Sequence, residues 1–97
     1  MVDQKIWFVT GASRGIGRAV ADCALAAGDK VAILARGADV ESLADELGEN
    51  CMACRADVSD AEAVNAAVAA VVAHWGTIDV VVNNAGLHRG GRIGRIA

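Results

Sequence analysis

Four short apolar runs, at residues 6–10, 31–35, 51–56 and 79–83, are separated by three segments whose apolar residues recur at helical spacing. Runs of this length read as buried strands, and steps of three and four read as one face of a helix. The order is therefore β-α-β-α-β-α-β. Such alternation implies a parallel sheet, because each helix must carry the chain back to the edge where the next strand begins. Crossovers of this kind are right-handed. The expected fold is α/β and Rossmann-type. It is a doubly wound parallel sheet of four strands in the order 3-2-1-4 with three helices, the third on the opposite face from the first two. Strand 4 is then an edge whose unpaired amides and carbonyls invite self-association.

The helices carry their own signals. In the first, Ile16, Val20, Cys23 and Ala27 form an apolar stripe, and Gly28 stops it. The second shows Val40, Leu43, Ala44 and Leu47 before Gly48, with Asp39 as a first-turn acid. The third opens at Ser59-Asp60-Ala61-Glu62, which reads as a capping box between Ser59 and Glu62. It presents Val64, Val68, Val71, Val72 and Trp75 on one face and ends at Gly76, with His74 near its carboxyl end.

A length of 97 residues is one domain, 1–97, with a small core. At 55% hydrophobic residues, disorder of the whole chain is excluded. Only residues 87–97, rich in glycine and arginine, read as a poorly ordered tail. A net charge of −3 supplies no field for nucleic acid. The longest apolar run, at 66–73, is too short to cross a bilayer, so no membrane partner is expected. The first residues lack a basic-then-apolar leader, which points to the cytoplasm. Three cysteines, Cys23, Cys51 and Cys54, do not make a disulfide framework. Cys51 and Cys54 lie three apart on a strand and so face opposite ways; they read as buried thiols. No metal site is expected, and His88 has no partner set.

Chemistry gathers at two loops. Thr10-Gly11-Ala12-Ser13-Arg14-Gly15-Ile16-Gly17 joins strand 1 to helix 1, and Asn83-Asn84-Ala85-Gly86 follows strand 4. They are far apart in sequence, yet the order 3-2-1-4 brings both to the switch point of the sheet, where such folds bind ligands. Glycines there allow close backbone approach to a pyrophosphate, and the helix start offers free amides. No Gly-Lys-Ser/Thr follows, so the loop is not a Walker A motif.

With Thr10 before it, the Gly11-x-x-x-Gly15-x-Gly17 spacing resembles the cofactor loop of the short-chain dehydrogenase/reductase family. Asn83-Asn84-Ala85-Gly86 resembles that family's second signature. Asp57-Val58, after strand 3, resembles the pair that meets the adenine ring. The resemblance runs over essentially the whole chain. It implies a nicotinamide dinucleotide held by Gly11, Ser13, Arg14, Gly15, Ile16, Gly17, Arg36, Asp57, Val58, Asn84, Ala85 and Gly86. An acid at the end of strand 2 would accept from the ribose hydroxyls of NAD. Ala35-Arg36 stands there instead. With Ser13 and Arg14 in the glycine loop, this implies NADP(H) in preference to NAD(H).

The resemblance also implies what to look for in catalysis. The family's reaction is hydride transfer between the cofactor and a carbonyl or alcohol. It uses a tyrosine as acid–base group, a lysine four residues on and a serine. The sequence holds no tyrosine. Lys5 and Lys30 fall outside the cleft. Ser13, Ser42 and Ser59 belong to the cofactor loop, helix 2 and the start of helix 3. No catalytic residue is assigned. The chain ends eleven residues after Gly86, before the strand that would bring the serine. The expectation is a truncated, inactive, cofactor-binding part of a reductase; the alternative is a stand-alone nucleotide-binding or interaction module. A flavodoxin-like or response-regulator domain would not need this glycine spacing and would place an acid after strand 1.

Overall fold

A computed structural model describes residues 4–11 and 15–83. The elements in chain order are β1 (Ile6–Thr10), α1 (Gly15–Ala26), β2 (Lys30–Ala35), α2 (Asp39–Leu47), β3 (Cys51–Arg55), α3 (Ala61–Trp75) and β4 (Val80–Asn83). The sheet order is β3-β2-β1-β4. Every pairing is parallel. The expected topology is thus present. Central β1 sets its five residues against Lys30 to Leu34 on one side, and Trp7 to Thr10 against Val80 to Asn83 on the other.

The period-two pattern of the strands divides the core in two. Val9, Val31, Ile33 and Cys51 gather with Ala21 and Ala24 of α1 and with Val40, Leu43 and Ala44 of α2. Ile6, Phe8, Ala32, Leu34 and Cys54 gather with Ala67 and Val71 of α3. Adjacent strand residues such as Ile33 and Leu34 are fully buried on opposite faces. A strand covered on both sides reads as an unbroken apolar run for this reason. Cys51 and Cys54 are indeed buried on different faces. Burial pushes the Cys51 thiol up to about 11, aided by the charges of Asp22 and Cys54, and burial also raises Cys54. Both thiols therefore stay protonated and inert near neutrality.

Three helix readings are corrected. The Ser59–Glu62 capping box does not form. Asp60 has the extended backbone of an N-cap, and its Oδ1 accepts the Ala63 amide at 3.2 Å. Ser59 is diverted, donating both its amide and its hydroxyl to Asp57 Oδ1. The buried seam of α1 runs through Gly17, Ala21 and Ala24, not through Cys23 and Ala27, which are exposed. These small residues let the helix lie close over β1 and β2. Cys23 and Val20 are turned toward β4, which no described helix covers on that face. There they line an apolar groove of about 480 Å³ with Trp7 and Val82. On α3, Val72 is 40% exposed, and Ala67 takes its place in the core. The stop at Gly76 is as expected, with a left-handed φ of 94° and its amide donating to Val72 O. Edge strand β4 is partly exposed along its whole length. Among the described residues no helix is long and apolar enough to cross a membrane.

Two carboxylates hold the base of the sheet. Asp29, just before β2, accepts the Lys5 amide at 3.1 Å and the Trp7 indole N–H at 2.9 Å. Asp79, just before β4, accepts the Ile6 amide at 2.8 Å. The two hydrogen bonds from Lys5 and Trp7 hold the Asp29 carboxyl below its ordinary range. A depressed carboxyl contributes stability above its unfolded pKa of about 3.9, and that contribution is lost as pH falls through the lower folded value. Asp29→Asn should therefore lower the melting temperature at pH 7, and the deficit should shrink as pH falls through that lowered pKa. Urea or thermal melts followed by circular dichroism at pH 7 and in acid check this; a deficit independent of pH would contradict it.

Candidate functional site

All the loops that carry the singled-out residues leave the carboxyl edge of the sheet. After β1, Gly11 turns the chain with φ 65°, and its amide donates to Leu34 O at 2.8 Å. That bond ties the loop to β2. Gly15 opens α1, also at φ 65°, a region that side chains other than glycine's rarely adopt. A Cβ built there would meet no described atom within 4 Å beyond the chain neighbours. Gly17, two residues in, is buried. Ser13 and Arg14 lie outside the described residues, as does the side chain of Ile16.

The ends of β1 and β4 meet as the topology requires. Thr10 and Asn83 are register partners, and the Thr10 hydroxyl lies 3.1 Å from Asn83 Oδ1 and donates to it. Asn83 is the first residue of the second signature; Asn84, Ala85 and Gly86 lie outside the described residues, as does the tail 87–97. The strand that delivers them is nonetheless fixed beside the glycine loop.

The ends of β2 and β3 form the other half of the site. The Ala56 amide donates to Ala35 O at 3.0 Å, so the two strand ends stay together past the last ladder pair. Arg36 is highly exposed, and its Nη1 lies 3.7 Å from Asp57 Oδ2. The opposite oxygen of Asp57 accepts from Ser59, at 2.9 Å from the amide and 2.8 Å from the hydroxyl. These Ser59 bonds are the main reason the Asp57 carboxyl sits below its usual range; the Arg36 charge adds to them. Asp57 is therefore ionised at neutral pH, with one oxygen anchored and the other facing Arg36. Val58 leans partly buried against the α3 side of the core. Arg55 gives no cue in the sequence pattern, yet its Nε donates to Arg36 O at 3.3 Å. The parallel register is the signal that would have found it, since Arg55 stands opposite Ala35.

The arrangement fits a dinucleotide. The start of α1, entered at the positive-φ Gly15, suits a pyrophosphate. The Arg36–Asp57 pair, just past the ends of β2 and β3, sets a cation beside an acceptor. Among the described residues no group of three His, Cys, Asp or Glu is placed to hold a metal. Strain at the loop can be measured directly. Gly15→Ala should cost about 1–2 kcal/mol, from the left-handed backbone alone, since no atom stands in the way of the new methyl group. Chemical denaturation should show this loss; an unchanged midpoint would mean that the loop adopts another backbone.

The chain matches the protein family described as short chain dehydrogenase over residues 5–97. It is 43% identical over 88 residues to the oxidoreductase UcpA of Salmonella typhimurium, a match covering 88% of this chain and 34% of that protein. A short-chain dehydrogenase from Streptomyces avermitilis superposes with a TM-score of 0.79 at 44% identity, covering 87% of this chain and 31% of that one. A 3-ketoacyl-(acyl-carrier-protein) reductase from Brucella melitensis, solved in complex with NADH, superposes with a TM-score of 0.76 at 36% identity, covering 79% and 32%. The chain thus spans about a third of the length of these relatives.

Proposed function

Because the chain belongs to the short-chain dehydrogenase family, we propose that its 97 residues are the dinucleotide-binding part of an oxidoreductase and that they favour NADP(H) over NAD(H). The observation that carries the preference is the end of β2, where Ala35 stands in place of an acid and an exposed arginine follows. Gly11, Gly15, Gly17 and the start of α1 would take the pyrophosphate, with Ser13, Arg14 and Ile16 of the same loop. Asp57 and Val58 would meet the adenine, and Arg36 and Arg14 the 2′-phosphate. Asn84, Ala85 and Gly86 would flank the nicotinamide side of the crevice.

When bound, the nicotinamide supplies the hydride exchanged with a carbonyl or alcohol. The residues of this chain do the holding. Two oxygens of a 2′-phosphate can accept from one guanidinium fork, and that bidentate geometry discriminates against a ribose hydroxyl. Asp57, ionised and anchored by Ser59, can accept from the amino group of an adenine. Glycines at positions 11 and 15 leave the phosphates room to approach the backbone.

Arg36→Asp should invert the cofactor order. A carboxylate at the end of β2 repels the phosphate and accepts from the ribose. The lost contact is worth roughly 1.5–3 kcal/mol, or about tenfold to a hundredfold in NADP+ affinity. Calorimetric titration of the unaltered chain and the variant with NADP+ and NAD+ checks this, and equal affinities for the unaltered chain would refute the preference.

A second reading is a nucleotide-binding module with no chemistry of its own. On either reading these 97 residues should bind cofactor without turnover. Assaying the purified chain with NADPH and a panel of carbonyl compounds should give no absorbance change above background. Sustained oxidation of NADPH would mean that an acid–base group other than tyrosine operates here.

A further inference from the structure

Taking the 2′-phosphate reading of Arg36 as its premise, we propose that Arg55 is a positioning and specificity residue at the same phosphate, holding the Arg36 backbone and presenting a second guanidinium beside it. Three observations lead to it. Arg55 is the last residue of β3 and stands in register with Ala35, so it is level with the point where the chain leaves β2 for Arg36. Its alternation partners Cys51 and Ala53 belong to the α1 and α2 side of the sheet, so Arg55 rises on the side where α2 begins. Its Nε donates to Arg36 O at 3.3 Å, which fixes the peptide that carries the Arg36 side chain.

Charge separates the roles of the two arginines. Arg36 has Asp57 as an ion-pair partner at 3.7 Å. Arg55, also exposed, has no carboxylate in ion-pair contact among the described residues. With Nε turned to a carbonyl, its terminal nitrogens keep their donors for an incoming dianion. Two forks converging on one phosphate discriminate more sharply than one, because each oxygen lone pair finds a donor. A ribose hydroxyl offers neither the charge nor the lone pairs, so Arg55 should act on the 2′-phosphorylated ligand alone.

The test uses adenosine 2′,5′-bisphosphate and adenosine 5′-monophosphate as probes, titrated by calorimetry into the unaltered chain and into R36A, R55A and R55K. The expected result is a preference of the unaltered chain for the bisphosphate, reduced in R36A. In R55A it falls by about tenfold, with the monophosphate affinity unchanged. R55K, which keeps a cation and a donor, should recover part of the preference, and raising the salt should narrow the gap between R55A and the unaltered chain. If R36A lowers the preference and R55A does not, the Arg55 assignment falls while the cofactor reading stands. If R55A weakens both probes equally, Arg55 merely shapes the strand ends and the proposal is overturned. If the unaltered chain shows no preference, the NADP reading falls and takes this proposal with it.

Discussion

Strand β1 is hydrogen-bonded to β2 on one side and β4 on the other, and two carboxylates lock its base. Asp29 and Asp79 occupy equivalent places, one residue before β2 and one before β4, and they capture consecutive amides, Lys5 and Ile6. A parallel sheet has evenly spaced, slanted ladder bonds and no tight turn to set its register. Register here follows from these captures and from the buried pattern above them. A slip of one residue would turn Phe8 toward α1 and Val9 toward α3, exchanging the two halves of the core. It would also move Thr10 away from Asn83, so the two glycine-bearing loops would no longer start level. The crevice at the top of the sheet therefore depends on bonds made at its bottom.

The two faces are filled differently, and the difference bears on the site. On one, the α1 seam of Gly17, Ala21 and Ala24 is made of small residues, so the helix lies close over β1 and β2. Close approach brings the start of α1 down to the end of β1, which a phosphate at that helix start requires. On the other face, Ala67 and Val71 of α3 rest over Phe8, Ala32 and Leu34. The cover thins at β4, where Val81 packs against that cluster but every residue is partly exposed, and Trp7 and Val82 floor an apolar groove on the α1 side. The sheet is thus firm around β1 and β2 and thin at β4.

The architecture was legible because parallel strands buried on both faces leave continuous apolar runs, and glycines mark where they stop. Strand order, the opposite placement of α3 and the opposite burial of Cys51 and Cys54 all follow from those periods. Two kinds of detail were not legible. One is which of several adjacent apolar positions faces the sheet. The stripe through Val20 and Cys23 and the seam through Ala21 and Ala24 differ by one helical step, and only the neighbouring strand β4, bare of a helix, decides between them. The other is competition among short polar side chains. Ser59 and Asp60 can each cap a helix. Asp57, two residues earlier, takes both donors of Ser59 and so leaves the cap to Asp60. In the site, the positions of Thr10, Gly11, Gly15, Arg36 and Asp57 along the carboxyl edge were readable from the order of the elements. The role of Arg55 was not, since it needs the β2–β3 register.

Competition of the same kind explains how the proposed cofactor end can be ordered without being blocked. Asp57 is held by two bonds from Ser59 and faces Arg36 across 3.7 Å, a separation at the loose end of an ion pair. Exposed pairs of this sort contribute about 0–1 kcal/mol, because water screens the attraction and two side chains lose freedom. The pair therefore biases Arg36 toward the end of β3 yet costs little to break. A phosphate dianion brings two formal charges and a matching fork geometry, where Asp57 brings one charge and a single contact. Arg36 can exchange partners, while Asp57 keeps its anchor on Ser59 and stays in place to accept from a base. Had Asp57 relied on Arg36 alone, taking the arginine away would have freed both side chains at once. The Ser59 turn, which displaces the helix cap by one residue, is what keeps the two sides of this end of the site independent.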